Sequence, residues 1–359
     1  LKWTGKPKGF ETNPIGIQES FQVSGSNWKF SWIELLLLIY EEDNGLNVYI
    51  AKRLLSIVPV LIIVAVVIFT LIHLTGDPAS VILGPEATPD AVHQLQQELG
   101  LDRPLYQQFI IWFSDILRGN FGDSVYLQQP VLHVFVQYLG PTLNLSIFAE
   151  IIALIIAIPM GILTSTRKGS KTDQAVIGFS LFGISLPNFL LGMFLILLFS
   201  VNMKLFPVSG YVPVSVGLWN HIYSLILPAF ALGFMQAAIV TRMTRSSMID
   251  VLSTGYIKTA RSKGLSKKSV IYKHAFRNAL PTVLEVVGQQ FSTLIAGAIV
   301  IETVFNIPGL GQLMINSIQR RDFPLIEGIV LIVAVSHVMI NLIIDLLYGV
   351  IDPRVRLSK

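Results

Sequence analysis

Cysteine is absent from this 359-residue chain, and charged residues are scarce. Without cysteine the chain can form neither a disulfide framework nor a thiolate metal site. Charged residues make up 13% of the chain, against about 25% in the average soluble protein, and 52% of the residues are hydrophobic. Several apolar runs approach or exceed the roughly 20 residues that a helix needs to span a bilayer. The composition therefore predicts an all-α fold and a polytopic membrane protein.

The chain also lacks the patterns of catalytic and nucleotide-binding sites. Residues 169–172 (Gly-Ser-Lys-Thr) come nearest to the phosphate-binding pattern G-x-x-x-x-G-K-[ST], but they lack its spacing and its second glycine. The six histidines show no metal-ligand spacing, and no serine, histidine and acidic residue stand in the arrangement of a nucleophile site. We therefore expect no enzyme activity, no metal site and no cofactor bound by this chain itself.

Long apolar runs separated by polar segments, which are alternately rich and poor in basic residues, predict six membrane spans. The predicted spans cover residues 54–75, 141–163, 175–201, 222–240, 280–301 and 325–350. From Lys52 onward, 17 basic residues fall on one side of the membrane and 5 on the other, and the positive-inside rule places the richer side in the cytoplasm. Both termini are then cytoplasmic. Residues 1–47 do not fit this pattern and are predicted to be a weakly structured extension, which leaves residues 48–359 as the membrane domain.

Residues 76–140 are predicted to form a soluble region on the outside, with helices at about 90–99 and 105–118. The second of these helices has an apolar stripe, which we expect to pack on the membrane surface or on the spans. The stripe consists of Phe109, Trp112, Phe113, Ile116 and Leu117.

A few polar side chains fall inside the predicted spans, where such residues are costly and are functional candidates by default. Glu285 and Gln289 are four residues apart and share a helical face, so that with Gln290 and Gln236 they are candidates for a substrate pathway. The remaining polar residues of the spans are predicted to form hydrogen bonds between helices. They include Glu150, Asn188 and Asn341.

The stretch Gly255–Pro281, which we call the basic segment, carries seven lysines and arginines and no acidic residue. It occupies most of the predicted cytoplasmic loop of residues 246–279. A helix is predicted at Tyr256–Lys263, Gly264 ends it, and Ser266 caps a second helix from Lys267 to about Leu280. Composition alone permits two interpretations: a solvated loop that only fixes the topology, or a rigid elbow that a partner protein can push.

The motifs of the basic segment favour the second interpretation. Residues 259–265 (Thr-Ala-Arg-Ser-Lys-Gly-Leu) and 274–281 (His-Ala-Phe-Arg-Asn-Ala-Leu-Pro) resemble the coupling loop of bacterial ABC-importer membrane subunits, specifically of the dipeptide and oligopeptide branch. The glutamate that precedes the glycine motif in the wider importer group is absent, since Lys258-Thr259-Ala260 stands there. Further matching motifs lie at residues 74–78, 99–105, 119–124, 244–248, 300–305, 308–311 and 351–356.

This resemblance implies the permease fold of type I ABC importers and a bacterial inner-membrane location. It also implies a heteromeric assembly with a second homologous permease subunit, two ATPase subunits that use ATP and magnesium, and an extracytoplasmic solute-binding protein. The solute would be a dipeptide or oligopeptide, or else glutathione, a nickel chelate or an opine. The residues expected to contact the ATPase are Tyr256, Thr259, Ala260, Arg261, Lys263, Gly264 and Leu265.

A different class of function remains open at this point, namely a secondary transporter or channel that works without an ATPase. Such a protein would need an ion or proton site at the midplane of the membrane, often between inverted repeats. No repeat is evident between residues 54–163 and 222–350.

Overall fold

The computed structural model describes residues 46–75, 78–84, 87–98 and 100–351, and its regular structure there is helical apart from one isolated bridge between Asp123 and Pro130. Residues 1–45 of the predicted extension lie outside the described part, and residues 46 and 47 belong to the first helix. The α-helices are α1 (Leu46–Thr75), α2 (Pro78–Leu83), α3 (Pro89–Glu98), α4 (Leu105–Leu117), α5 (Val131–Thr166), α6 (Lys171–Ser185), α7 (Asn188–Leu195), α8 (Leu218–Ser253), α9 (Gly255–Ser262), α10 (Arg277–Phe305), α11 (Leu310–Arg320) and α12 (Phe323–Ile351).

Two π-helical stretches complete the long helices. Ile196–Asn202 extends α7, and Ser269–Phe276 runs into α10. Among the described residues, four helical stretches are long and apolar enough to cross a bilayer: α5, α8, Ser269–Phe305 and Phe323–Ile344. The pair α6 and α7 makes a fifth if it counts as one broken span, and the apolar part of α1, Val58–Leu71, is shorter.

The third predicted span, residues 175–201, was expected to be one helix and is two. Helix α6 ends at Ser185, and the following helix begins at Asn188 after a bend of 99°. Pro187 explains the break, because proline disfavours a helical conformation in the residue before it. Leu186 is accordingly extended, with φ −86° and ψ 119°.

The second predicted span was expected to begin at Pro141, but α5 begins ten residues earlier and runs through this proline. The early turns are held by tertiary contacts, since Val131, Val134 and Phe135 are buried against Leu310 and Leu325. The stretch 302–324, expected to be a loop, likewise contains α11. Packing at this end of the bundle therefore extends helical structure beyond the apolar runs.

Helices α5 and α8 form the centre of the bundle and approach each other through small residues. A β-carbon at Gly233 would lie 2.3 Å from the carbonyl oxygen of Ala149, and one at Gly161 would lie 2.6 Å from Cβ of Thr244. Small residues at such positions allow helix backbones to come close in a membrane. Around this contact, residues of α10 complete the largest buried cluster, which includes Leu145, Leu225, Leu232, Leu294, Ala298 and Ile301.

The amphipathic helix α4 packs as its apolar stripe predicted. Phe109, Trp112, Phe113 and Ile116 lie against a buried cluster that contains Ala65 and Ile68 of α1 and Leu331 of α12. Trp112 Nε1 also donates a hydrogen bond to Glu327 Oε2 at 2.6 Å. The stripe is therefore a packing surface on the spans, although its last member, Leu117, is exposed.

Candidate functional site

The first half of the basic segment is a short helix closed by a glycine turn. Helix α9 ends at Ser262, one residue before the predicted end, and Gly264 adopts a left-handed conformation with φ +78°. The Gly264 amide donates to the Arg261 carbonyl at 3.0 Å, and the Leu265 amide donates to the Ala260 carbonyl at 3.4 Å. These two bonds are the Schellman arrangement, which satisfies the last carbonyls of a helix and fixes the direction in which the chain leaves it.

One face of α9 is buried in the bundle. Ile257 is fully buried and Ala260 nearly so, and both belong to a cluster with Met248 of α8. The cluster also takes in Ile162 near the end of α5 and Val270 of the following π-helix. Because buried apolar side chains are close-packed and transmit displacement, a force on α9 is carried directly to the ends of α5 and α8.

The opposite face of α9 is exposed and cationic. Lys258, Arg261 and Lys263 are exposed, and no acidic side chain in the described part of the chain lies within ion-pairing distance of them. Tyr256 and Leu265 are also exposed, at 44% and 41%. This surface of unpaired cations beside an aromatic and an aliphatic side chain suits an acidic protein partner, since aromatic residues and arginine are enriched at protein interfaces.

The second half of the basic segment is continuous with a span. The Ser266 side chain accepts a hydrogen bond from the Ser269 amide at 3.3 Å, as expected of a cap, and the helical structure then runs without interruption into α10. The prediction that a separate helix ends near Leu280 is therefore wrong, and Pro281 lies inside α10. Tyr256 binds the two halves together, because its hydroxyl donates to the His274 carbonyl at 3.2 Å.

The predicted substrate-pathway residues divide into two groups. Gln236 is 4% exposed, and its Nε2 donates to the Gln290 carbonyl at 3.2 Å, so that the structure brings these two residues together. Glu285 and Gln289 instead lie exposed on α10, four residues apart as the sequence indicated.

The predicted interhelical hydrogen bonds are confirmed in one case and absent in another. Asn341 Oδ1 accepts a bond from Ser292 at 3.0 Å, which joins α12 to α10. Glu150 was expected to bond in the same way, but both of its carboxyl oxygens are buried without a partner among the described residues. Asn188 accepts a bond from the adjacent Phe189 amide at the start of α7. Helical spacing could place these residues in the bundle but could not identify their neighbours.

A buried ion pair near α9 was missed by the sequence analysis. Arg245 of α8 donates from Nε to Asp173 Oδ1 at 2.7 Å and from a terminal nitrogen to Oδ2 at 2.8 Å. Asp173 is in the first turn of α6, where it also accepts the Gly169 amide at 2.8 Å. The available signal was the pattern Ser170-x-x-Asp173, a capping pair at the start of a helix, and the Ser170 hydroxyl does accept the Asp173 amide.

Glu302 holds the start of α11 at the opposite end of the bundle. It is fully buried, and its carboxylate accepts the Gly311 amide at 2.7 Å and the Thr142 hydroxyl at 2.6 Å. The Thr142 hydroxyl in turn accepts the Leu310 amide at 2.8 Å. These side chains satisfy amides that have no partner within the helix. Glycine at 309 is required by this contact, because a β-carbon there would lie 2.3 Å from the Glu302 carboxyl carbon.

The apolar helices of the bundle and the cationic helix α9 that packs on their ends indicate a multi-pass membrane protein with an exposed basic surface. Residues 157–357 match the family described as binding-protein-dependent transport system inner membrane component, and residues 46–145 match the N-terminal region described for the same family. The chain belongs to this family. It is therefore an inner-membrane, multi-pass permease component of an ABC importer and not itself an enzyme. Because the chain belongs to this family, the alternative of a secondary transporter or channel that works without an ATPase is rejected.

Full-length relatives support the same assignment. The chain is 41% identical over 312 residues to the probable peptide ABC transporter permease protein y4tP of Sinorhizobium fredii, which covers 87% of this chain and 100% of the relative. It is 40% identical to the dipeptide transport system permease protein DppB of Escherichia coli K12, and this match covers 87% of this chain and 99% of the relative. It is 41% identical to the glutathione transport system permease protein GsiC of Shigella flexneri, and this match covers 86% of this chain and 98% of the relative.

A solved structure shares the fold. A chain of the inward-facing MetNI methionine ABC transporter superposes with a TM-score of 0.51 at 18% sequence identity. The match covers 62% of this chain and 97% of that chain.

Proposed function

We propose that this chain forms part of the translocation path of an importer for dipeptides, oligopeptides or a related small solute such as glutathione. The geometry of α9 supports this mechanism. Its apolar face packs on the ends of α5 and α8, and its cationic face is exposed. An ATPase subunit that moves against this face on binding ATP would rock the spans and alternate access to the path. The solute class is supported by the names of the relatives at 40–41% identity.

The proposed topology has six spans, with both ends of the chain in the cytoplasm. The four long helices account for four spans, the bent pair α6 and α7 for a fifth, and α1 for the sixth. The basic segment then faces the cytoplasm, in line with the 17 to 5 division of basic residues. Cysteine labelling from either side tests this topology, because an introduced cysteine has no competitor within this chain. A single cysteine at exposed Lys267 should react only from the cytoplasm.

The proposed assembly contains this chain, a second homologous permease subunit, two ATPase subunits and an extracytoplasmic solute-binding protein. ATP and magnesium act at the ATPase subunits, and this chain binds neither. Glu285 and Gln289 are proposed to face the path, because their exposed positions on α10 are free to meet the second permease subunit or the solute.

Charge reversal at Arg261 tests the docking surface. Arg261→Glu should leave the protein in the membrane and reduce both co-purification of the ATPase and solute uptake. Lys204→Glu is the matched control, since Lys204 is an exposed cation that lies outside the basic segment. Normal ATPase binding and uptake by Arg261→Glu would refute the docking assignment.

The replacement Gly264→Pro acts on the geometry of the same surface. Proline cannot adopt φ +78° and has no amide to donate to Arg261, so the turn must rearrange. We expect the variant to be inserted normally and to lose uptake.

The solute itself is best identified on the cognate binding protein, by calorimetry with dipeptides, longer peptides and glutathione. Tight binding of a peptide or of glutathione is expected, and binding of neither would refute the proposed solute class.

A further inference from the structure

The ion pair between Asp173 and Arg245 is a bidentate contact that joins α6 to α8. Both oxygens of the carboxylate are engaged by the guanidinium, at 2.7 and 2.8 Å. The Asp173 side chain is 3% exposed and that of Arg245 is 23% exposed. A bidentate pair fixes orientation as well as distance, and its shielding from solvent reduces screening by salt.

Each member of the pair belongs to a different part of the transport apparatus. Arg245 lies on α8 one helical turn before Met248, which belongs to the same buried cluster as Ile257 of α9. Asp173 lies in the first turn of α6, and α6 leads to the 99° bend at Pro187. The pair therefore connects the cluster beneath α9 to the broken span through one helical turn of α8.

Beyond this pair, a cavity interrupts the contact between α6 and α8. A cavity of about 360 Å³ opens between α5, α6 and α8, and it is lined by Ala175 and Val176 on α6 and by Ala238 and Thr241 on α8. The helices meet again farther along, where Phe179 lies edge-on to Phe234 with ring centroids 5.2 Å apart. The cavity separates the two helices between the ion pair and this aromatic contact, so within the described structure the ion pair is the polar contact that fixes the first turn of α6 to α8.

We propose that Asp173 and Arg245 are positioning residues that transmit the movement of α9 and α8 to α6, and through α6 to the bend at Pro187. This inference rests on the proposed role of α9 as the docking site of the ATPase. With the pair intact, the start of α6 moves with α8 as one body. Without it, α6 can lag behind α8 by shifting into the cavity.

The test uses the transporter purified with its partner subunits and reconstituted in lipid. Arg245→Gln should keep the ATPase subunits bound and hydrolysing ATP, while solute uptake per ATP hydrolysed falls roughly twofold to thirtyfold, the range in which residues between coupled sites change the coupling. Arg245→Lys keeps the charge but not the bidentate geometry, so its uptake per ATP hydrolysed should lie between that of the wild type and that of Arg245→Gln. Arg242→Gln, at an exposed residue one turn earlier on α8, is the matched control and should behave as the wild type.

A distance measurement separates transmission from simple structural support. Exposed Gln174 and Ser246 can be replaced by cysteine and spin-labelled as the only cysteines of this chain, in a complex whose partner subunits have had their cysteines replaced. When the pair is intact, the distance distribution between the labels should be the same with and without trapped ATP. In Arg245→Gln the distribution should broaden, or its mean should change when ATP is trapped.

Three results would overturn the proposal: unchanged uptake per ATP in Arg245→Gln, an unchanged label distance in that variant, or loss of its ATPase subunits. The last result would make the pair a support of the docking surface. Failure of the docking assignment itself is recognised separately, from normal ATPase binding by Arg261→Glu.

Discussion

Replacing Gly264 by alanine isolates the backbone contribution to the α9 turn. The left-handed conformation costs an L-residue about 1–2 kcal/mol relative to glycine. No heavy atom lies within 4 Å of the new β-carbon, so there is neither a clash nor a packing gain to add to this cost. After allowance for the lower entropy of the unfolded alanine chain, about 1 kcal/mol of local destabilisation remains, which corresponds to roughly a fivefold increase in opening of the turn.

Hydrogen–deuterium exchange of the basic segment measures this opening. The Leu265 amide, which donates to Ala260, should exchange about fivefold faster in Gly264→Ala. Gly264→Asn should show a smaller effect, because asparagine tolerates the left-handed region. Gly255→Ala is the control, since this glycine is also exposed and without neighbours within 4 Å but does not have positive φ. Equal exchange in the two alanine variants would refute the argument that φ at position 264 limits the turn.

Two further predictions concern packing away from α9. Gly233→Ala should lower the melting temperature in detergent, because its β-carbon would lie 2.3 Å from a backbone oxygen of α5 and overpacking costs about 1–3 kcal/mol. Gly297→Ala is the control and should not lower it, because the nearest neighbour of its β-carbon is Leu232 Cδ1 at 3.9 Å. Equal melting temperatures in the two variants would contradict the close approach of α5 and α8. Thr142→Val should destabilise the start of α11 by about 1–3 kcal/mol by leaving buried polar groups without partners. Thr142→Ser keeps the hydroxyl and should melt near the wild type, and similar losses in both would indicate that packing dominates.

Helix type and approximate position were predictable wherever the hydrophobic run was long and a local signal marked its end. The turn at Gly264 is such a case, because glycine after a helical pattern predicts a left-handed cap. Helix α4 is another, since the spacing of Phe109, Trp112 and Phe113 identified the face that packs on α1 and α12.

Helix boundaries near proline were predicted less reliably. Pro187 breaks a span that was expected to be continuous, whereas Pro141 and Pro281 lie inside helices that were expected to begin there. The local preference of proline is the same in each case. The outcome depends on whether neighbouring helices pack against the turn before it, as Leu310 and Leu325 do against the first turns of α5, and such contacts join residues far apart in sequence.

The ion pair illustrates why the site could be predicted only in part. The cationic face of α9 is local in sequence, and motif and charge were enough to indicate it. Asp173 and Arg245 are 72 residues apart, and each has an adequate local interpretation, as a helix-capping residue and as one of the basic residues that mark the inner side of the membrane. Only the packing of α6 on α8 shows that these charges meet out of solvent. Hence the cationic surface proposed as the docking site follows from sequence, while the internal contacts proposed to transmit its movement require the structure.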